Sequence, residues 1–315
     1  MDLTGIHHLT AISAAIRENH RFHTRTLGMR LVKRSVNQDD VSAYHLFYAD
    51  AKGSPGTDLT FFDWPVDRER RGTHAITRTG LRVAGPDVLQ WWQDHLRARK
   101  VAVNEIVERD GRLTLDFEDA EGQRIALIDD AGAGASHPWH GSPVPAPQQV
   151  RGLGPITISV PVLKPTDAVL QKALGMRPVR EYPHPDDARH VVHVYEMGPG
   201  GAGAELHVAV QPGLPAAQPG AGGVHHVAFR SADTDYDAWA DRLNTLGIPN
   251  SGKVDRYYFR SLYFREPNGI LFEIASDGPG FAVDENEATL GELVALPPFL
   301  EPRRREIVSR LKPID

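Results

Sequence analysis

Residues 5–10 read Gly-Ile-His-His-Leu-Thr, and residues 223–228 read Gly-Val-His-His-Val-Ala. Each stretch is a short β-favouring run that carries a histidine doublet. A glycine typical of a helix C-terminus follows each stretch at a similar distance, at Gly28 in the first copy and at Gly247 in the second. The matched spacing indicates that the two ends of the chain carry copies of one structural unit.

The same order of elements recurs in the middle of the chain. A strand over 153–160 precedes a predicted helix near 165–173, which ends at a leucine-glycine pair like the other two copies. A fainter copy starts near His74 and continues with a predicted helix over 88–99. In each copy, turn signals separate further strands after the helix. The sequence therefore predicts an α+β protein made of four βαβββ modules.

A single βαβββ module leaves one face of a curled sheet uncovered, so we expect the modules to pair into two curled-sheet, barrel-like domains. Two segments rich in Ala, Gly and Pro read as linkers, and the last residues fall outside the repeats as a C-terminal tail with a short helix after Pro302. The predicted modules span 1–70, 73–130, 153–211 and 223–280, the linkers 131–152 and 212–222, and the tail 281–315.

Composition limits the classes of partner and metal site. The chain has 35 basic and 41 acidic residues without long single-sign blocks, which argues against nucleic-acid binding. It has no cysteine, so any metal must be held by imidazole, carboxylate or carbonyl donors. The N-terminal stretch lacks the pattern of a signal peptide, and no apolar run is long enough to cross a bilayer. We expect a cytoplasmic protein.

Strand alternation assigns the histidines of each doublet to opposite faces. The apolar neighbours Leu9 and Val227 place the first histidine of each doublet on a packed face beneath helices. The second histidines, His8 and His226, then lie on the other face, which Thr10 shares. The two doublets therefore present one histidine each to a common concave surface.

The closing strand of the last module supplies a carboxylate to the same surface. Phe272 and Ile274 take the packed face and leave Glu273 on the other. A carboxylate in so apolar a strand is not buried unless it is paired or binds a metal. Two imidazoles and one carboxylate form the facial triad of non-haem iron(II) oxygenases. The alternative is that His8 and His226 are core or surface residues and that Glu273 pairs with an arginine.

The two middle modules lack this set. Thr157 is predicted to match the metal-facing histidines, and Ala126 to match Glu273. His207 falls near the glutamate position of the third module, has no histidine partner, and is interpreted as structural. The first and fourth modules are therefore predicted to pair around the metal, and the second and third to form a metal-free companion domain.

Several stretches resemble the vicinal oxygen chelate superfamily, which includes glyoxalases, bleomycin resistance proteins and extradiol dioxygenases. Within this superfamily, the stretches are similar to the hydroquinone-type ring-cleaving dioxygenases. The resemblance runs through nearly the whole chain, but from 73 to 212 it holds only in outline. The stretches are GIHHLTAI (5–12), YHLFYADAKGSPGT (44–57), GGVHHVAF (222–229), DRYYFRSLYFREPNGILFEIA (255–275) and LPPFLEPR (296–303).

The resemblance implies the vicinal oxygen chelate fold and a dioxygenase that opens a dihydroxylated aromatic ring with O2. It implies iron(II) as the cofactor, with manganese(II) as the alternative, and leaves a homo-oligomer open. The metal ligands carried over by motif are His8, His226 and Glu273. The residues carried over around the substrate are Thr10, His225, Arg256 and Tyr263, with His7 as a weaker candidate. Arg256 would stabilise anionic character, and Tyr263 or His225 would transfer a proton.

Two other functions stay open at this level. A glyoxalase-type isomerase or lyase generally uses a fourth protein ligand, and no carboxylate stands between Leu59 and Phe62 to supply one. A non-catalytic resistance protein that binds an aromatic compound would have no use for Glu273.

Overall fold

The computed structural model describes residues 1–314. Within that range, the chain forms sixteen strands: β1 (Ile6–Ser13), β2 (Arg30–Val36), β3 (Tyr44–Ala49), β4 (Asp58–Asp63), β5 (Ala75–Val83), β6 (Val107–Arg109), β7 (Arg112–Glu118), β8 (Arg124–Asp129), β9 (Gly152–Val160), β10 (Arg177–Pro183), β11 (Val191–Glu196), β12 (Glu205–Val210), β13 (Val224–Ser231), β14 (Val254–Asp255), β15 (Arg260–Arg265) and β16 (Leu271–Ser276).

The helices are few and short. They are α1 (Ile16–Arg21), α2 (Pro86–Ala98), α3 (Leu163–Ala168), α4 (Tyr236–Thr245) and α5 (Arg304–Arg310), with π-helical turns at Phe22–Thr26 and Val169–Ala173 continuing α1 and α3. Short 3-10 turns lie at Ala146–Gln148, Ala202–Ala204, Asp233–Asp235, Phe281–Val283, Glu287–Thr289 and Glu301–Arg303. In the described part of the chain, none of the helices is long and apolar enough to cross a membrane.

The strands form two eight-stranded sheets that pair distant parts of the chain. The first sheet has the order β14-β15-β16-β13-β1-β4-β3-β2, so it joins the first module to the fourth. The second has the order β10-β11-β12-β9-β5-β8-β7-β6 and joins the two middle modules. The predicted α+β class and the pairing of four βαβββ modules into two curled sheets are confirmed.

Alternation along the central strands builds the packed side of the first sheet. Leu9 in β1 pairs with Val227 in β13, and both are fully buried in the main core. Phe272 and Ile274 of β16 lie in the same core, together with Trp239 of α4. Burying each such side chain stabilises the fold by about 1.5–3 kcal/mol. The sheet therefore presents the residues between them to its concave side.

A β-bulge interrupts the alternation at the first histidine doublet. Ile6 and His8 of β1 pair with Phe229 and Ala228, which are adjacent on β13, so His7 is an extra residue without a pairing partner. A bulge turns its residue away from the alternating pattern. The side chain of His7 therefore does not have to point toward the packed face.

The second doublet carries the reciprocal bulge. Thr10 and Ala11 are adjacent on β1 but pair with His226 and Val224 on β13, so His225 is the extra residue. The prediction that the first histidine of each doublet packs beneath helices is wrong, because one additional residue in each strand breaks the period of two.

The second sheet repeats this register and corrects one predicted equivalence. Arg78 pairs with Thr157 as His8 pairs with Ala228. Thr157 therefore matches Ala228 rather than His226, whose position is taken by Pro155. His207 pairs with Thr157 as Glu273 pairs with Ala228, so the assignment of His207 to the glutamate position is confirmed.

Candidate metal centre and aromatic pocket

Three side chains from three strands of the first sheet converge on one point. His8 Nε2 lies 3.1 Å from Glu273 Oε2, and His226 Nε2 lies 3.0 Å from the same oxygen. The two Nε2 atoms are 3.3 Å apart. All three side chains are buried. The structure thus brings together the three predicted ligands from both ends of the chain.

The spacing and chemistry of these atoms fit a divalent cation. With metal–ligand bonds of about 2.1 Å, neighbouring corners of an octahedron are about 3.0 Å apart, close to the observed distances. Neither oxygen of Glu273 accepts a well-formed hydrogen bond from the described residues. A buried carboxylate is costly without such partners, so a cation between Glu273, His8 and His226 would satisfy it.

The protonation states agree with metal binding. Burial alone would raise the pKa of Glu273, but His8 and His226 hold it well below its ordinary value. Burial lowers the pKa of His226, so its imidazole is neutral at neutral pH and keeps a lone pair for a metal. The site therefore offers a neutral imidazole at His226 and one negative charge at Glu273.

The first histidine of each doublet holds the ring of the second. His7 Nδ1 lies 2.9 Å from His8 Nδ1, and His225 Nδ1 lies 2.8 Å from His226 Nδ1. Hydrogen bonds at Nδ1 fix the ring orientation and leave Nε2 for ligation. Burial lowers the pKa of both His7 and His225 to about 3, so neither carries a charge at neutral pH.

Both bulged histidines lie on the concave side of the sheet. The ring of His225 contacts Phe62 and Trp64, and the ring of His7 contacts Phe259. Phe62 and Phe259 line the pocket above the triad. His225, which the resemblance placed near the substrate, is thus next to the pocket wall.

A pocket opens beside the triad. Its walls are mainly aromatic, which suits a flat ring. They comprise Phe47, Phe62, Tyr258, Phe259 and Tyr263, together with the polar or charged residues Asn37, Gln38, Asp39, His45 and Arg256.

Arg256 and Tyr263 form one polar corner of this pocket. Arg256 Nε donates to the Tyr263 hydroxyl at 3.3 Å, and its Nη2 lies 2.9 Å from Asp39 Oδ2. Burial and the nearby Glu273 raise the pKa of the Tyr263 hydroxyl, so it stays protonated at neutral pH. The corner therefore presents a cation and an O–H group to the pocket, and Arg256 also forms a salt bridge with Asp39.

Two residues at the site were missed in the sequence. His45 Nε2 lies 3.0 Å from Thr60 Oγ1, and Thr60 Oγ1 lies 2.8 Å from Thr10 Oγ1. The missed signal is alternation in β3, where Tyr44 and Leu46 enter the main core and leave His45 on the concave side.

The C-terminal tail contacts Tyr258, one of the residues that line the pocket. Lys33 is fully buried, lies 2.7 Å from Asp284 Oδ1 and also pairs with Glu285. Its ammonium group is 4.6 Å from the ring centre of Tyr258, whose hydroxyl donates to Asp284 at 3.0 Å. These contacts attach the tail to a pocket wall.

Removing the Tyr258 hydroxyl tests this attachment. We expect Tyr258→Phe to lower the free energy of unfolding by about 1–2 kcal/mol, because Asp284 loses a charge-assisted hydrogen bond. Urea unfolding of the purified variant measures the change. Tyr257→Phe is the matched control on the neighbouring residue, and equal losses in the two variants would contradict a specific role for the bond to Asp284.

The concave side of the second sheet carries ion pairs where the first carries the triad. Asp110, Glu205 and His207 lie close together, but Arg112 donates to both oxygens of Glu205 at 2.7 Å. Arg180 Nη2 lies 2.9 Å from Glu205, and His207 Nε2 lies 3.0 Å from it. The carboxylates are already neutralised, which supports the structural interpretation of His207.

Comparison with known proteins agrees with this architecture. A family model described as the Glyoxalase/Bleomycin resistance protein/Dioxygenase superfamily matches residues 152–274. The putative ring-cleaving dioxygenase MhqA of Bacillus subtilis (strain 168) is 45% identical over 317 residues, which cover 100% of each chain. This chain belongs to that superfamily. The predicted family resemblance is confirmed.

Two further proteins, a relative and a solved structure, match this chain over nearly its whole length. The chlorohydroquinone/hydroquinone 1,2-dioxygenase of Sphingobium indicum is 33% identical and covers 98% of this chain and 95% of its own. The crystal structure of a putative dioxygenase from Bacillus subtilis has a TM-score of 0.90 at 33% identity, covering 99% and 98% of the two chains. Glyoxalase I from Zea mays, at 15% identity and a TM-score of 0.64 over 88% of this chain and 93% of its own, shares the fold.

Proposed function

We propose that this superfamily member is a ring-cleaving, extradiol-type dioxygenase that opens a hydroquinone or a related dihydroxylated aromatic with O2. The observation that carries the proposal is the convergence of His8, His226 and Glu273 at the base of an aromatic pocket. Relatives named ring-cleaving dioxygenase and hydroquinone 1,2-dioxygenase, similar over nearly the whole chain, support it.

Iron(II) is the cofactor that we propose for this triad, with manganese(II) as the alternative. Both ions accept nitrogen and oxygen donors, and a 2-His-1-carboxylate set leaves coordination positions open. When bound, the ion supplies Lewis acidity and a meeting point for the aromatic and O2. His8, His226 and Glu273 would hold it, and the Nδ1 contacts from His7 and His225 would keep the two ligand rings in orientation.

The pocket walls would bind and orient the aromatic ring. Phe47, Phe62 and Phe259 provide apolar faces that exclude water. Arg256 would stabilise negative charge on an ionised hydroxyl, and the protonated Tyr263 would donate a hydrogen bond or a proton. His225 would exchange a proton as a neutral imidazole.

The glyoxalase-type alternative is disfavoured by the residue at the fourth ligand position. Thr10 pairs with Thr60 in the first module as Ala228 pairs with Glu273 in the fourth. Thr60 therefore stands where the first module would supply a second carboxylate, and it offers only a hydroxyl. A metal-free binding protein is disfavoured by Glu273, whose buried charge serves no purpose without a cation.

Oxygen uptake after reconstitution with iron(II) under anaerobic conditions tests the proposal. We expect the reconstituted protein to consume O2 with hydroquinone or methylhydroquinone, because the triad leaves room for both reactants. An oxygen electrode measures the rate, and catechol in a parallel run reports the preferred placement of the two hydroxyls. Absence of uptake with all three compounds, in protein that retains one iron per chain, would refute the proposed reaction.

A further inference from the structure

We infer that His45 and Thr60 are positioning residues that set the direction of a hydrogen-bond chain, so that Thr10 presents its hydroxyl proton to an ionised hydroxyl of the substrate. The inference rests on the proposed function only for the chemical class of the ligand, an aromatic hydroxyl. The family resemblance assigned no role to His45 or Thr60. Their role is inferred from the arrangement of the first sheet.

The hydrogen-bond chain is continuous and crosses three adjacent strands. His45 Nε2 on β3 lies 3.0 Å from Thr60 Oγ1 on β4, which lies 2.8 Å from Thr10 Oγ1 on β1. Thr10 Oγ1 in turn lies 3.0 Å from His226 Nε2. Thr10 and Thr60 are completely buried, so water does not compete for their hydroxyl groups.

Counting protons fixes the direction of the chain. Each threonine hydroxyl has one proton to donate. His226 Nε2 needs its lone pair to bind a metal, so at this contact Thr10 is the donor. Thr10 must then accept from Thr60, which has no second proton and must accept from His45. His45 is therefore the protonated end of the chain at Nε2.

The surroundings of His45 suit a neutral donor. Its ring lies 4.0 Å from Phe47 and 4.4 Å from Phe62, measured between ring centres. Burial lowers the pKa of His45 well below its ordinary value, as do the nearby His8, His226 and Arg256, while Glu273 opposes this. The aromatic contacts hold the neutral ring in place beside Thr60.

The companion sheet offers an internal comparison. Gly80 pairs with Ala126 as Thr10 pairs with Thr60, so both hydroxyls are missing there. Thr114 pairs with Ile128 as His45 pairs with Phe62, so the histidine is missing too. All three members of the chain occur only in the sheet that carries the triad. A merely structural role in the shared fold would not require this difference.

With a metal bound, His226 Nε2 would no longer accept from Thr10, and the Thr10 proton would be free to turn toward the pocket. A fixed donor stabilises an anionic oxygen more than a neutral hydroxyl. Thr10 would therefore favour the ionised form of a bound aromatic hydroxyl. His45 and Thr60 act through Thr10. When His45 donates to Thr60 and Thr60 donates to Thr10, the Thr10 proton is not used within this hydrogen-bond chain and can point into the pocket.

The test uses 4-nitrocatechol, whose ionisation changes its visible absorption, bound to the iron(II)-loaded protein without oxygen. We expect His45→Phe and Thr60→Val each to raise the apparent pKa of bound 4-nitrocatechol by about one unit, a tenfold loss of preference for the ionised form. His45→Gln and Thr60→Ser keep a donor and a hydroxyl, so they should remain close to the wild type. Combining His45→Phe with Thr60→Val should add little, because both break one chain.

Thr114→Val is the matched control in the companion sheet and should leave the bound ligand unchanged. Iron content measured in every variant separates a lost metal from a lost hydrogen bond. An unchanged pKa of bound 4-nitrocatechol in His45→Phe and Thr60→Val proteins that retain iron would overturn the inference. Shifts in His45→Gln and Thr60→Ser as large as those in His45→Phe and Thr60→Val would also overturn the inference. Because no turnover is measured, failure here is distinguishable from failure to consume O2 with hydroquinone.

Discussion

Replacing Glu273 by glutamine should weaken metal retention by more than about 100-fold while the fold is preserved. Loss of an outer hydrogen-bond partner of a metal ligand already costs roughly 10–100-fold in affinity, and Glu273 is the one charged donor of the triad. Glutamine has nearly the same shape but no charge. His8 and His226 would remain as two nitrogen ligands, too few to hold a divalent ion tightly.

Equilibrium dialysis against iron(II) and manganese(II), followed by metal analysis, measures this loss. Thermal unfolding of the metal-free proteins supplies the fold control. We expect metal-free Glu273→Gln to stay folded and to unfold cooperatively like the metal-free wild type, because glutamine fills the same space in the core. Unchanged metal affinity in the variant would show that the ion, if bound at all, lies elsewhere in the protein.

Replacing Glu205 by glutamine should have the opposite pattern, with a large loss of stability and no loss of metal. Glu205 is fully buried and paired with Arg112 and Arg180. Removing one member of a buried ion-pair network leaves the others uncompensated, which costs about 3–5 kcal/mol of unfolding free energy. Chemical denaturation measures the loss, and metal analysis shows whether the first sheet keeps its ion.

The same variant should change how stability depends on pH. Burial would raise the pKa of Glu205, but His207 and Arg112 hold it below its ordinary value of 4.5. A carboxylate with a lowered pKa in the folded state contributes stability above 4.5, and that contribution is lost as the pH falls toward the folded-state pKa. Glu205→Gln should therefore lose less stability than the wild type on acidification below pH 4.5.

Glu181→Gln supplies the control for this second prediction. Glu181 lies on β10, two strands away from Glu205 in the same sheet, and its side chain is two-thirds exposed. We expect a change within about 0.5 kcal/mol there. A comparably small change in Glu205→Gln would mean that the ion pairs of the second sheet contribute little to stability.

Much of the fold follows from repeated local patterns. The doublets around His8 and His226, and the helix stops at Gly28 and Gly247, mark equivalent modules because the same strand–helix order needs the same turn chemistry. The metal ligands follow as well, since a carboxylate such as Glu273 within an apolar strand requires a partner. These inferences use only neighbours along the chain.

Other features depended on contacts between strands that are far apart in sequence. A bulge exists only relative to the partner strand, so the concave placement of His7 and His225 was not readable from alternation. The chain from His45 through Thr60 to Thr10 also needs three strands in one register. Neither β3 nor β4 by itself signals it.

The sequence by itself determined the four modules, their pairing into two sheets, and the identity of His8, His226 and Glu273 as the candidate ligands. These depend on residue type and on the period-two alternation that every strand imposes. The tertiary structure decided which way the bulged histidines turn, which hydroxyls connect to His226, and that Lys33 attaches the tail to the pocket. Those choices depend on interstrand register and on which charges become buried together, and both exist only once the two ends of the chain have met.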